Sequence, residues 1–139
     1  MDNALYKWIT IESHGKNVGD LLMFEEGTNL PFRIGKVLVV KNVPTDAVRG
    51  KHAHKTVKEI VVPLQGGCVV DVTDGTRTES VTLDSPGKPL LLPALVWRTL
   101  HHFQPDTILL IVADGPYDEA DYLRNYDEFL AYLAQQKKD

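Results

Sequence analysis

The residues best suited to chemistry lie close together in Val48–Gly67, VRGKHAHKTVKEIVVPLQGG. His52 and His54 are one residue apart, and Glu59 follows five residues after His54. In an extended strand alternate side chains share a face, so the two imidazoles point one way and Lys51, Ala53 and Lys55 the other. Two imidazoles on the concave side of a sheet are costly unless they are hydrogen-bonded or ligated. Two chemistries use such a set. With Glu59 the histidines form a two-histidine, one-carboxylate group of the kind that holds iron or zinc. Without a metal, histidine is the side chain whose ordinary pKa suits a base near neutral pH. Such a base can serve metal-free general acid–base chemistry. The pair follows Arg49-Gly50, and two titratable groups on one face of a strand point to a functional site more often than a lone histidine does.

Holding these groups requires a sheet, and the rest of the chain supplies strands. With 139 residues, 43% hydrophobic and 24% charged, it is long enough for one domain with a single core. The net charge of −4 argues against a general nucleic-acid binder, which would show a basic face. No apolar run approaches a membrane span, and MDNALYKWITIES lacks the layout of a signal peptide. Cys68, the single cysteine, excludes an internal disulfide and a thiolate-rich metal site, and reads as a small core residue. These features predict a cytoplasmic protein without nucleic-acid or membrane partners. The runs YKWITIES, DLLMFEE, RIGKVLVVK, EIVVPL, CVVDVTDG, RTESVTLD, PLLLP and TILLIVAD are rich in Val, Ile, Leu or Thr and bounded by turn residues. Asp74-Gly75 between two alternating runs is a strong hairpin signal. The pattern is that of a β-sandwich or barrel. After Gly115-Pro116 the period becomes helical, with Leu123, Tyr126, Phe129, Leu130 and Leu133 on one face. Acidic Asp118, Glu119 and Asp121 early and Lys137-Lys138 late suit the helix dipole, which predicts a helix over about 119–136 packed on the sandwich.

The spacing His52-x-His54, four residues, Glu59, six residues, Gly66 resembles the first motif of the cupins. In the second motif Gly87 is followed after five residues by Pro93, but Leu95 replaces a glycine and Arg98 a histidine ligand. The resemblance implies an all-β cupin jelly roll, a double-stranded β-helix, with one ligand exchanged for a guanidinium that cannot bind metal. VRGKHAHKTVKEIVVPLQGGCVV, TLDSPGKPLLLPALVW and PYDEADYLRNYDEFLAYL are similar to the WxcM-like sugar 3,4-ketoisomerases. That group, acting on TDP-4-keto-6-deoxyglucose, moves a ketone between C4 and C3 on the way to amino sugars of surface polysaccharides such as lipopolysaccharide. The resemblance implies a homodimer, a TDP-linked keto-deoxysugar as substrate, and neither metal nor other cofactor.

Carried over by position, His52 matches the base at C3 and C4, and His54 the second histidine, which handles protons at the sugar oxygens. Arg98 is expected to stabilise the enediolate in place of the family's histidine. Arg49, Lys36, Trp97 and His101 are the expected substrate contacts. The chain departs from the family at Val18, where arginine is usual, at Lys36-Val37-Leu38, where Arg-x-Tyr is usual, and at Arg98. Two other readings stay open: a metal-dependent cupin using His52, His54 and Glu59, and a noncatalytic sugar-nucleotide binder. Neither His14 nor His102 has a role that the sequence assigns.

Overall fold

The computed structural model describes residues 4–138. Twelve strands run in the order β1 (Lys7–Trp8), β2 (Ser13–Lys16), β3 (Gly19–Leu22), β4 (Lys36–Val40), β5 (Arg49–His54), β6 (Glu59–Gln65), β7 (Cys68–Thr73), β8 (Thr78–Leu83), β9 (Leu90–Leu92), β10 (Trp97–His101), β11 (Ile108–Ala113) and β12 (Tyr122–Leu123). A 3₁₀ turn, Glu119–Asp121, precedes β12, and helix α1 (Tyr126–Lys138) closes the described chain. One sheet has the order β1-β9-β6-β11-β4 and the other β12-β5-β10-β7-β8, while β2 and β3 form a separate hairpin. All named strand pairs are antiparallel.

Alternation builds the core. On β7, Cys68, Val70 and Val72 are buried and face the other sheet, where they meet Val61, Leu92 and Leu109. Each of the valine and leucine side chains is worth about 1.5–3 kcal/mol on burial. A third layer forms where Ile9, Ile11 and Leu30 cover Ile60 and Val62 on the outer face of the first sheet. Lys7–Trp8 of the alternating YKWITIES segment pairs with β9 and Ser13 opens β2, while Ile9 and Ile11 between them continue extended, donating their N–H groups to Pro89 and Gly87 carbonyls at 2.9 Å. At the predicted hairpin, Asp74 Oδ1 accepts the N–H groups of Thr76 and Arg77, both at 2.9 Å, and Gly75 takes φ 91°.

The C-terminal segment differs from the sequence expectation. The helix begins at Tyr126, not near 119, because Asn125 is its cap: Asn125 Oδ1 accepts the Glu128 N–H at 3.1 Å. The acidic residues assigned to a helix start are engaged elsewhere. Asp118 caps the 3₁₀ turn, Glu119 pairs with Arg124, and Asp121 bonds to the loop after β5. Tyr122 and Leu123 pair with His54 and Ala53 as a strand. Helix α1 then lays Phe129, fully buried, against Ala53, Leu123 and Trp97 on the outer face of the second sheet.

Candidate active site

Between the two sheets, at the open end of the sandwich, lies a cavity of about 240 Å³. Its wall is apolar, from Leu38, Val40, Val61, Leu92 and Ile111, and its polar groups are Arg49, His52, Glu59, Arg98, Tyr122 and Arg124. An apolar pocket with few convergent polar groups is the usual form of a small-molecule site.

Strand β5 delivers His52 through a local distortion. Gly50 has φ 82° and Lys51 φ 52°, and the pairing with β10 shifts register between Arg98 and Thr99. A Cβ on Gly50 would sit 3.0 Å from the Arg98 carbonyl oxygen and 3.2 Å from Leu100 Cδ1, so the close approach needs glycine. The bulge re-aims His52, as bulges beside active sites do. It also places the Gly50 carbonyl 2.9 Å from His52 Nδ1. A carbonyl only accepts, so Nδ1 carries the proton and Nε2 keeps its lone pair, on a ring that lines the cavity. Burial, and then the Arg98 charge, push the His52 pKa down from 6.5 to about 4. His52 is therefore a neutral imidazole at physiological pH.

Behind His52 runs a buried chain of charges. Arg98, 1% exposed, donates from Nη1 to Glu59 Oε1 at 2.7 Å. Glu59 Oε2 lies 3.5 Å from His54 Nε2, and His54 Nδ1 donates to Asp121 Oδ2 at 3.0 Å. Asp121 further accepts the Thr56 N–H at 2.9 Å, the Thr56 hydroxyl at 2.6 Å and the Val57 N–H at 3.3 Å. His54 and Arg98 outweigh the cost of burial at Glu59, holding its carboxyl down at about 2. His54 is fully buried and does not line the cavity. It touches the site through Glu59 and through its ring contact with Tyr122, centroids 4.4 Å apart.

His52, His54 and Glu59 bring their ligand atoms within 4.8 Å of one another, the donor set that a metal cupin would use. The set does not fit a cation. Glu59 already gives one oxygen to Arg98, and that guanidinium adds a fixed positive charge at the site. Two like unit charges about 4 Å apart repel by roughly 4 kcal/mol near a protein surface.

The expected substrate contacts divide by strand geometry. Arg49 lines the cavity. Lys36 is not among the lining residues but approaches one of them, with Nζ 5.7 Å from the Tyr122 ring and 5.5 Å from the Tyr117 ring. Trp97 and His101 do not reach it. On β10 the inward residues are Arg98 and Leu100, so the odd-numbered residues face out. Trp97 packs beneath α1 against Tyr126 and Phe129, centroids 5.3 and 5.7 Å away. His101 bonds to Asp71 on the same outer face.

Three residues were missed in the sequence. Tyr122 lines the cavity with its ring 5.2 Å from His52, and burial, with the Glu59 charge second, raises its phenol pKa so that it stays a donor. Arg124 covers the Tyr122 ring at 4.1 Å and pairs with Glu119. Asp121 anchors the whole segment. Their signal was present in DYLRNY, where Tyr122 and Arg124 alternate with Asp121 and Leu123, but it was absorbed into a helical reading.

A jelly-roll cavity with the cupin histidine strand, and with arginine where a metal ligand would stand, defines a cupin-like protein class. Residues 4–134 match the family described as FdtA: WxcM-like, C-terminal, and the chain belongs to that family. It is 38% identical over 117 residues, 84% of each chain, to the TDP-4-oxo-6-deoxy-alpha-D-glucose-3,4-oxoisomerase of Aneurinibacillus thermoaerophilus. QdtA, a sugar 3,4-ketoisomerase from Thermoanaerobacterium thermosaccharolyticum solved in complex with TDP, superposes with a TM-score of 0.92 at 27% identity, covering 97% of this chain and 98% of that one. A 3,4-ketoisomerase from Helicobacter canadensis gives a TM-score of 0.90 at 30% identity, covering 93% and 97%.

Proposed function

We propose that the protein is a sugar-nucleotide 3,4-ketoisomerase that moves the ketone of a TDP-linked 4-keto-6-deoxyhexose from C4 to C3 without a metal. The observation that carries this reading is the neutral His52, its Nδ1 tied to the Gly50 carbonyl and its Nε2 lone pair free on a ring that lines the cavity. Nε2 takes the proton from C3, and the electron pair of that C–H bond forms the C3–C4 double bond of an enediolate. The negative oxygen meets donors prepared for it, Arg98 and the Tyr122 phenol. A proton leaves the C3 hydroxyl and one joins the C4 oxygen, and His52 returns its proton to C4, giving the 3-ketone. Tyr122, which lines the cavity, replaces His54 as the group that handles oxygen protons, and His54 acts through Glu59. Arg49, Lys36 and Arg124 around the opening suit a diphosphate.

The product carries a ketone at C3, the functional group that an amination step would consume. A homodimer is supported by edge strand β4, which has a neighbour on one side only and exposes Val37 and Val39. No helix among the described residues is long and apolar enough to cross a membrane.

The test is incubation with TDP-4-keto-6-deoxyglucose in heavy water. Wild type places deuterium at the carbon next to the ketone, and His52→Asn loses exchange and isomerisation together by about a hundredfold or more, the scale for a general base. Exchange unchanged in His52→Asn would move the base elsewhere, and tight binding without any exchange in wild type would make the protein a binder.

A further inference from the structure

On the outer face of the second sheet, across β10 from Arg98, lies another set of ligating side chains. His101 Nε2 is 2.7 Å from Asp71 Oδ2, and Asp71 Oδ1 accepts the Ser80 hydroxyl at 2.5 Å. The other nitrogen of His101, Nδ1, lies 2.5 Å from Nδ1 of His102. Neighbouring residues of a strand normally point to opposite faces. His102, just past the end of β10, has a left-handed backbone, φ 54°, a conformation that a residue with a Cβ rarely adopts, and its ring lies with its centroid 4.7 Å from that of His101. Such an outlier is a reason to look for function at that place.

The proton inventory is specific. A carboxylate only accepts, so His101 Nε2 carries a proton toward Asp71 and the neutral ring has its lone pair on Nδ1. That lone pair faces the exposed His102 ring. A carboxylate behind the far nitrogen of an imidazole is the usual support of a metal-bound histidine, because it fixes the tautomer and strengthens the ligand. We propose that His101 and His102, backed by Asp71 and Ser80, bind one divalent transition-metal ion of the zinc or copper type at the surface, with water completing its coordination.

Metal–nitrogen bonds of about 2.0–2.1 Å in a tetrahedron set the two nitrogens roughly 3.3 Å apart, so the His102 ring swings outward by less than about 1 Å. Its proton moves from Nδ1 to Nε2, and the ring stays neutral. The site is separate from His52, His54 and Glu59, which face the cavity or lie buried behind it, and the proposal does not depend on the ketoisomerase reading.

The experiment titrates the full chain with zinc and with copper by calorimetry, and follows the histidine ring nitrogens by NMR. Wild type binds one equivalent at the surface, copper more tightly than zinc, in the order expected for imidazole ligands. Asp71→Asn weakens zinc about 10–100-fold, the usual effect of removing such a support. His102→Gln removes the step, and His52→Gln keeps it. NMR shows the His101 and His102 rings shifting with the first equivalent. No saturable binding by wild type, binding retained in His102→Gln, or first-equivalent shifts confined to His52 and His54 would each overturn the proposal.

Discussion

Lowering the pH tests the state of His52 by two independent readouts. The drop of its pKa from 6.5 to about 4 on folding corresponds to about 3 kcal/mol against the charged ring. Burial is the largest cause and the Arg98 charge the next, so the effect belongs to the intact cavity. At pH 6 about 1% of a group with pKa 4 is protonated, against roughly three quarters of one with pKa 6.5. A protonated ring cannot accept the C3 proton. The acid limb of kcat/KM, which reports the free enzyme, should therefore lie well below 6.5, with turnover still near its plateau at pH 6. Stability gives the second readout. Between pH 6.5 and 4 the unfolded chain binds a proton at this position and the folded chain does not. His52 therefore costs nothing above pH 6.5 and makes stability fall as pH drops toward 4, by up to about 3 kcal/mol. Glu59, held down at about 2, adds its own loss only below its ordinary 4.5. Denaturant unfolding from pH 7 to 4.5 should show the fall in wild type and a flatter profile in His52→Gln. An acid limb at 6.5, or identical stability profiles in the two proteins, would refute the neutral-base reasoning.

Arg98→Met should lose about 3–5 kcal/mol, because it strands the buried Glu59 carboxylate, whereas Arg98→Met with Glu59→Leu should recover most of that stability without activity; thermal melts and turnover separate the two. Asp121→Asn should cost about 1.5–3 kcal/mol in unfolding experiments, since four donors lose a charged acceptor, and should lower kcat by releasing His54 and the segment that carries Tyr122. Treatment with EDTA should leave turnover unchanged even if it strips zinc from the surface pair, and about one equivalent of iron or zinc lost together with activity would sink the metal-free reading.

Strands were legible wherever one face is buried, because Val, Leu and Ile at alternate positions state the period directly, as in CVVDVTDG. His52 and Arg98 were legible for a related reason: their spacing matched a motif. Trp97 and His101 were misplaced although the same alternation would have excluded them, since Arg98 facing the cavity puts the odd-numbered residues of β10 outside. The segment from Asp118 to Asn125 was not legible as a site because its acids suit a helix start as well as a cap, an ion pair and a buried anchor. Which of these applies depends on β5, far away in sequence, presenting His54 and the Thr56 N–H. The bulge at Gly50 was hidden too, since one glycine near the start of a strand does not say which way the next two side chains are turned.

Ala53 sits between the two histidines with its methyl group turned away from the cavity and fully buried against Phe129 and Leu123. The strand that holds His52 is thus set from behind by a helix at the far end of the chain. A larger side chain at 53, or a smaller one at 129, would move His52 without altering any other residue that lines the cavity. The contact between Ala53 and α1 is thus a second handle on the position of His52: a change in the C-terminal helix can shift that ring while every residue of the cavity wall stays the same.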